Sequence, residues 1–266
     1  MQVKDARVAF GGVRALDGVS LTVQDGQLLG LIGPNGSGKS TLLAAISRMI
    51  DLSSGTLTME GRDYTNAPAH LANALGIART FQTVRLLRTM SVLENVMLGA
   101  QAEWVRRGPL ATWLWLSRAR REEKRARRAA QQALERVGLK DLGRRHPQEL
   151  PYGPARKVEI ARALACEPKL LLLDEPTAGM SQAEREEVGI LLSELSKDGL
   201  AQVLVEHDLA MIQRVCNRVV ALNFGQVIAE GLPAQVAADE LVREAYLGHR
   251  DAGMEASAPM MEIGRQ

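Results

Sequence analysis

Aromatic residues are scarce in this chain: only 3% of its 266 residues are Phe, Trp or Tyr, although 46% are hydrophobic. A core has to be built from Leu, Val, Ile and Ala, which suits an ordinary soluble protein. Cysteine is scarcer still. Cys166 and Cys216 stand far apart and form no Cys-x-x-Cys pair, which argues against a disulfide or a metal site and for reduced packing thiols. No apolar run approaches the ~18 residues that a membrane-spanning helix needs. Residues 1–8 lack the apolar stretch of a secretory leader, so the chain is expected to stay in the cytoplasm. One-sided charge is missing too: a formal +2 gives no electrostatic ground for a nucleic-acid partner. There is no internal repeat or low-complexity tract. The length suits one large α/β domain carrying an insertion better than two independent domains.

What is present is an alternation of apolar runs and helical patterns, the mark of a mostly parallel sheet. Residues 28–32, 170–174, 202–206 and 218–222 read as strands. Helical spacing appears at 40–50, with Leu42, Leu43, Ile46, Met49 and Ile50, and at 184–196, with Val188, Leu191, Leu192 and Leu195. Residues 1–30 and 55–64 differ: short β-type runs broken by Gly11-Gly12, Asp25-Gly26 and Glu60-Gly61 read as an antiparallel edge. From about 83 to 165 the chain is largely helical and reads as an inserted subdomain. It includes the basic run 118–128, where Glu123 and Arg127 have i,i+4 spacing. Residues 249–266 lack clear periodicity and are expected to be a disordered or partner-dependent tail.

The strongest local signal follows the first of the apolar strands: Gly33, Pro34, Asn35, Gly36, Ser37, Gly38, Lys39, Ser40 and Thr41, leading into a helical pattern. Glycines let backbone N–H groups turn into one concavity, and the helix adds its positive N-terminal end. Lys39 would reach the β- and γ-phosphates, and Ser40 would offer a hydroxyl to Mg²⁺. A plain glycine-rich turn would use similar residues, but the flanking strand and helix favour a nucleotide. The loop alone does not separate a kinase, a GTPase, a helicase or a transport ATPase.

Later residues narrow the choice. Leu170-Leu-Leu-Leu173 runs into Asp174 and Glu175. Asp174 at a strand end suits a Mg²⁺ held through its water shell, and Glu175 suits polarisation of the attacking water. A helix-capping acidic pair is the plainer alternative. Gln82 carries an amide donor and acceptor suited to Mg²⁺ or that water, and His207 follows a strand where a ring N–H would reach the γ-phosphate, but a lone Gln means nothing and a lone His is more often an ordinary hydrogen-bonded residue. Taken in order, the phosphate loop, Arg79-Thr-Phe-Gln82, Leu150-Pro-Tyr-Gly-Pro154, the acidic strand and Val205-Glu-His-Asp208 resemble the ABC ATPase family over about residues 1–248. The resemblance implies a P-loop NTPase fold of the ABC ATPase type, with ATP and Mg²⁺ as cofactors and Glu175, His207 and Gln82 as catalytic residues. It further implies Ser40, Gln82 and Asp174 at the metal, Phe10 stacked on adenine, and Gly153 on the nucleotide of a partner. For Phe10 a place in a small core competes with that role.

Within the family, Phe10-Gly-Gly12, Arg79-Thr-Phe-Gln82, Val92-Leu-Glu-Asn-Val96, Val158-Glu-Ile-Ala-Arg162 and Ala245-Tyr-Leu-Gly248 most resemble the LivG-type ATPases of branched-chain amino-acid importers. That resemblance implies an ATP-hydrolysing subunit at the cytoplasmic face of the inner membrane, held there by transmembrane permease subunits that dock near 83–99. A solute-binding protein is an indirect partner. Trp104, Trp113, Trp115 and the following arginines would meet the permease or anionic lipid, or simply belong to a locally packed amphipathic helix. The same motor also serves exporters, lipid extraction and soluble ABC ATPases acting on nucleic acid or ribosomes. The chain departs from the family in two places. Pro151 replaces the signature serine, with Tyr152 and Pro154 beside it, and Ser181 stands where Asp is common. Pro151 removes a hydroxyl and an N–H, leaving Gly153 as a donor, while Pro154 suits the first position of the next helix. A second, non-identical ATPase subunit is therefore the expected partner.

Overall fold

The computed structural model describes residues 1–80, 85–100 and 115–246, the side chains of 115–119 excepted. Its centre is a sheet whose middle strands are buried on both faces. Strands β3 (Leu28–Ile32), β7 (Leu170–Asp174) and β8 (Ala201–Val205) have no exposed residue, as continuous apolar runs in a covered parallel sheet require. Side chains still alternate between faces. Leu28, Ile32, Leu171, Leu173 and Leu204 join one apolar cluster, whereas Leu29, Leu31, Leu170, Leu172, Val203 and Val205 join the other.

With β6 (Ile77–Arg79), β9 (Arg218–Asn223) and β10 (Gln226–Gly231), these strands form the order β10-β9-β3-β8-β7-β6. All neighbours are parallel except the β9–β10 hairpin. The expected antiparallel strands make a sheet of their own. β1 (Gln2–Phe10), β2 (Val13–Thr22), β4 (Ser54–Met59) and β5 (Arg62–Asp63) run in the order β2-β1-β4-β5. This sheet shares an apolar cluster with one face of the parallel sheet and with α1 (Lys39–Ile46).

Helix α1 is shorter than the pattern at 40–50 suggests. Arg48 takes a left-handed φ of 57°, which an α-helix cannot continue. Its buried guanidinium instead donates to the Ala67 carbonyl and pairs with Asp51. Helix α2 (Ala69–Ala74) precedes β6. Helix α6 (Gln182–Lys197) begins two residues before the pattern at 184–196, because Ser181 caps it. Helices α7 (Leu209–Val215) and α8 (Pro233–Ala238) and a helical stretch at 240–246 complete the covering layer. Both cysteines are free: Cys216 is buried and Cys166 exposed.

Between β6 and β7 the chain passes through α3 (Val92–Ala100), α4 (Trp115–Arg136) and α5 (Tyr152–Leu164). The basic stretch of α4 still buries a stripe: Ala126, Ala130, Ala133 and Leu134 face the core, while Arg127 meets Glu123 at 3.8 Å. Trp104, Trp113 and the tail 249–266 lie outside the described residues.

Helices α3 and α5 meet at Gly99, where a Cβ would stand 1.9 Å from the Arg162 carbonyl oxygen. Inside a helix, Gly→Ala ordinarily gains up to ~1 kcal/mol. Here the collision reverses the sign, and Gly99→Ala is expected to lower stability by about 1–3 kcal/mol. Urea unfolding measures this, and a stabilised variant would refute the close approach.

Candidate functional site

The parallel register determines which residues meet. Asp174 at the end of β7 pairs with Val205 at the end of β8, and β3 pairs with β8 through Leu31 and Val205. The segments that leave these strands, 33–38, 175–181 and 206–208, therefore emerge at one edge of the sheet, where open α/β folds place ligands.

The loop from Gly33 to Gly38 is shaped by contacts that only glycine permits. Gly33 has φ 145°, and a Cβ there would lie 2.1 Å from the Leu222 carbonyl oxygen. Gly38 has φ 105°, and a Cβ there would lie 2.5 Å from the Ala15 carbonyl oxygen. The loop is also tied from outside. The Gly225 N–H donates to the Ser37 carbonyl, and the Gly33 N–H donates to the Tyr246 hydroxyl at 3.0 Å. Burial raises the pKa of that phenol. Pro34, Ser37 and Lys39 are buried, Asn35, Gly36 and Ser40 are exposed, and Thr41 is half-buried.

Lys39 turns back into the loop. Its ammonium donates to the carbonyls of Gly33 and Pro34, both at 2.8 Å. Desolvation lowers its pKa, opposed by the charges of Glu175 and Asp174. Beside it, the Ser40 hydroxyl donates to Asp174 Oδ1 at 3.2 Å. These are hard oxygen donors at the mouth of a glycine loop, a set that fits a small divalent cation. The other oxygen of Asp174 accepts from Arg79 at 3.0 Å.

Glu175 occupies a left-handed backbone position, φ 48°, a conformation that costs a non-glycine residue about 1–3 kcal/mol. Its N–H donates to the Val205 carbonyl, and its Oε1 lies 2.8 Å from His207 Nε2. Two residues on, Thr177 donates to the buried Glu206 through both its N–H and its hydroxyl. Desolvation raises the pKa of Glu206.

The structure thus gathers Lys39, Ser40, Asp174, Glu175 and His207 around the loop. Phe10 stands 52% exposed at the tip of the β1–β2 hairpin, so a place in a small core does not describe it. The same hairpin brings the Ala15 carbonyl onto Gly38. Gly153 stands elsewhere. It is buried in the first turn of α5, where a Cβ would collide with Glu184 of α6 at 1.9 Å. Gln82 lies outside the described residues.

Pro154 is not the first residue of its helix. Pro151 is the cap and Tyr152 opens α5, so Pro154 is third, where its missing N–H still falls among the unpaired first-turn donors. Ser181 accepts from the Glu184 N–H as the cap of α6, and Glu184 accepts from the Ser181 N–H in return.

Residue-by-residue reading missed Arg79, Arg156, Glu159 and Tyr246. All four belong to the contacts behind the site. Arg79, Glu159 and Tyr246 sit inside stretches that carried the resemblance, but nothing in their spacing tells what they touch.

The sequence pattern of the family described as "ABC transporter" matches residues 16–178, and that of "Branched-chain amino acid ATP-binding cassette transporter" matches 226–252. The high-affinity branched-chain amino acid transport ATP-binding protein LivG of Salmonella typhimurium is 34% identical over 93% of this chain and 97% of its own. Among solved structures, a nucleotide-free ATP-binding cassette from an ABC transporter superposes with a TM-score of 0.81. It has 33% identity and covers 92% of this chain and 97% of its own. A dimeric post-hydrolysis cassette bound to ADP and Pi gives a TM-score of 0.71 at 26% identity, over 87% of this chain and 98% of its own. With a family pattern across more than half its length and full-length relatives of the same fold, the chain belongs to the ABC transporter family, as one of its ATPase cassettes.

Proposed function

We propose that the chain is the ATP-hydrolysing subunit of an importer for branched-chain or related amino acids, working at the cytoplasmic face of the membrane on permease subunits. The observation that carries the hydrolytic reading is the contact of His207 with Glu175, one residue after Asp174 and beneath the loop that holds Lys39. The substrate class rests on LivG and on the pattern matched at 226–252.

In this reading Gly33 to Thr41 cradle the phosphates. Backbone N–H groups and the N-terminus of α1 face the anion, and Lys39 exchanges its carbonyl partners for phosphate oxygens. Ser40, Asp174 and Gln82 would hold Mg²⁺. The metal, when bound, neutralises charge on the phosphate oxygens. Glu175 accepts the proton of the attacking water, a role open to a carboxylate at neutral pH. His207 orients Glu175 and offers its ring to the γ-phosphate, and Phe10 stacks on the base.

The partner is a second ATPase subunit. Gly153 would face the nucleotide bound by that partner, and Pro151 and Ser181 make this contribution weaker than the reciprocal one. That difference favours a heterodimer. Residues 83–165 act as the helical arm of a 1–248 ATPase domain and receive the permease, while a solute-binding protein selects the cargo.

Four measurements test this reading. In the assembled transporter, Glu175→Gln should retain ATP and lower turnover by at least ~10²-fold, and turnover at the parent rate would refute the base assignment. Lys39→Ala should abolish productive nucleotide binding, which titration with a fluorescent ATP analogue would detect. Cells lacking this subunit should lose uptake of radiolabelled leucine, isoleucine or valine, and unchanged uptake of all three would remove the substrate assignment. Equal residual ATPase from Glu-to-Gln variants of the two subunits would remove the asymmetry.

A further inference from the structure

The strained backbone of Glu175 is held from behind by helix α5. The Arg156 guanidinium donates to the Glu175 carbonyl at 2.9 Å and lies 3.4 Å from the Asp174 carbonyl oxygen. Its other arm pairs with Glu159 at 2.8 Å, and both side chains are only 1% exposed. The second oxygen of Glu159 accepts from the Arg85 N–H at 2.8 Å and lies 3.4 Å from Arg162, which in turn donates to the Arg85 carbonyl at 2.7 Å. Backbone atoms of Glu175 and of Arg85, three residues after Gln82, are therefore joined through one buried ion pair.

Such a pair is a poor device for stability alone. Removing two charges from water costs several kcal/mol per ion, and an apolar replacement of similar volume is often neutral or stabilising. What the charges supply here is direction. A planar guanidinium can serve a carboxylate and a carbonyl together, which a hydrophobic pair cannot do. The carbonyl it meets belongs to a residue at φ 48°, and a strained conformation persists where its surroundings over-determine it. The Val205 carbonyl holds the Glu175 N–H, Arg156 holds the Glu175 carbonyl, and His207 meets the side chain.

We infer that Arg156 and Glu159 form a positioning pair that fixes the backbone of Glu175 in its reactive orientation and ties it to the backbone at Arg85. Neither residue touches the reacting atoms. Their effect is on the placement of the carboxylate, where an error of about 1 Å can cost on the order of 10²-fold in rate. The signature helix therefore acts within its own subunit as well as toward a partner, since the side chains that support Glu175 start in its second turn.

The inference rests on Glu175 being the base, so the test runs with Glu175→Gln in parallel. Two variants are assayed in the assembled transporter, the apolar double replacement Arg156→Met with Glu159→Leu and the single replacement Arg156→Lys. Rates are normalised to the stoichiometry of bound fluorescent ATP, which removes any loss of folded protein. Both variants should keep KM for ATP within about twofold. The double variant should lower kcat by roughly 10- to 100-fold, and the lysine variant, which reaches only one of the two acceptors at a time, by less. A parent-like kcat in the double variant overturns the inference, as does a parent-like kcat in Arg156→Lys if the double variant does not fold. Loss of KM and kcat together would assign the pair to general structure and also overturns it. If Glu175→Gln itself turns over at the parent rate, the base assignment fails, and that outcome is separate from the others.

Discussion

The pairing of β3, β8 and β7 in parallel register is the constraint on which the site depends. Each strand is short and buried on both faces, so a slip of one residue would exchange its two apolar faces between clusters. Burial of Leu171 and Leu173 on one side and of Leu170 and Leu172 on the other thus sets the level at which Asp174 leaves the sheet. The same argument sets Val205, whose carbonyl takes the Glu175 N–H. Hydrophobic packing, which has no direction of its own, here determines the position of charged groups.

Around that edge the polar interactions are of two kinds. Some hold the backbone and leave side chains available: the glycine contacts of Gly33 and Gly38, the bond from Gly225 to Ser37, and the Arg156 fork on the Glu175 carbonyl. Others are made by the reactive side chains themselves, such as Lys39 on the loop carbonyls and His207 on Glu175. The first kind can persist while the second exchanges, which is the usual division between a rigid scaffold and the groups it presents.

Much of this was legible in the residues. Continuous apolar runs marked β3 and β7, the second ending in Asp174, and glycines at fixed spacing marked the loop that follows β3. Both signals are local, because strand burial and backbone freedom act over a few neighbouring positions. Harder features depended on partners far along the chain. Arg48 ends α1 through contacts with Ala67 and Asp51. The short β6 and the half-exposed β10 lack an alternation to read. Arg156 and Glu159 look like ordinary members of a basic helix until the fold buries them against Glu175 and Arg85. Ser181 reads as a departure from an expected aspartate, yet either residue type caps a helix, and here Ser181 caps α6.

The hydrogen bond from Gly33 to Tyr246 spans 213 positions of the chain. A ribosome working from one end completes β3 and the glycine loop long before it adds the phenol that accepts from the loop's first residue. The outer tie of the nucleotide loop consequently cannot form until Tyr246 has been added, 213 positions after Gly33. Full shaping of this loop is therefore linked in time to emergence of Tyr246, and until then a nascent chain carries the complete phosphate-loop sequence without the finished loop.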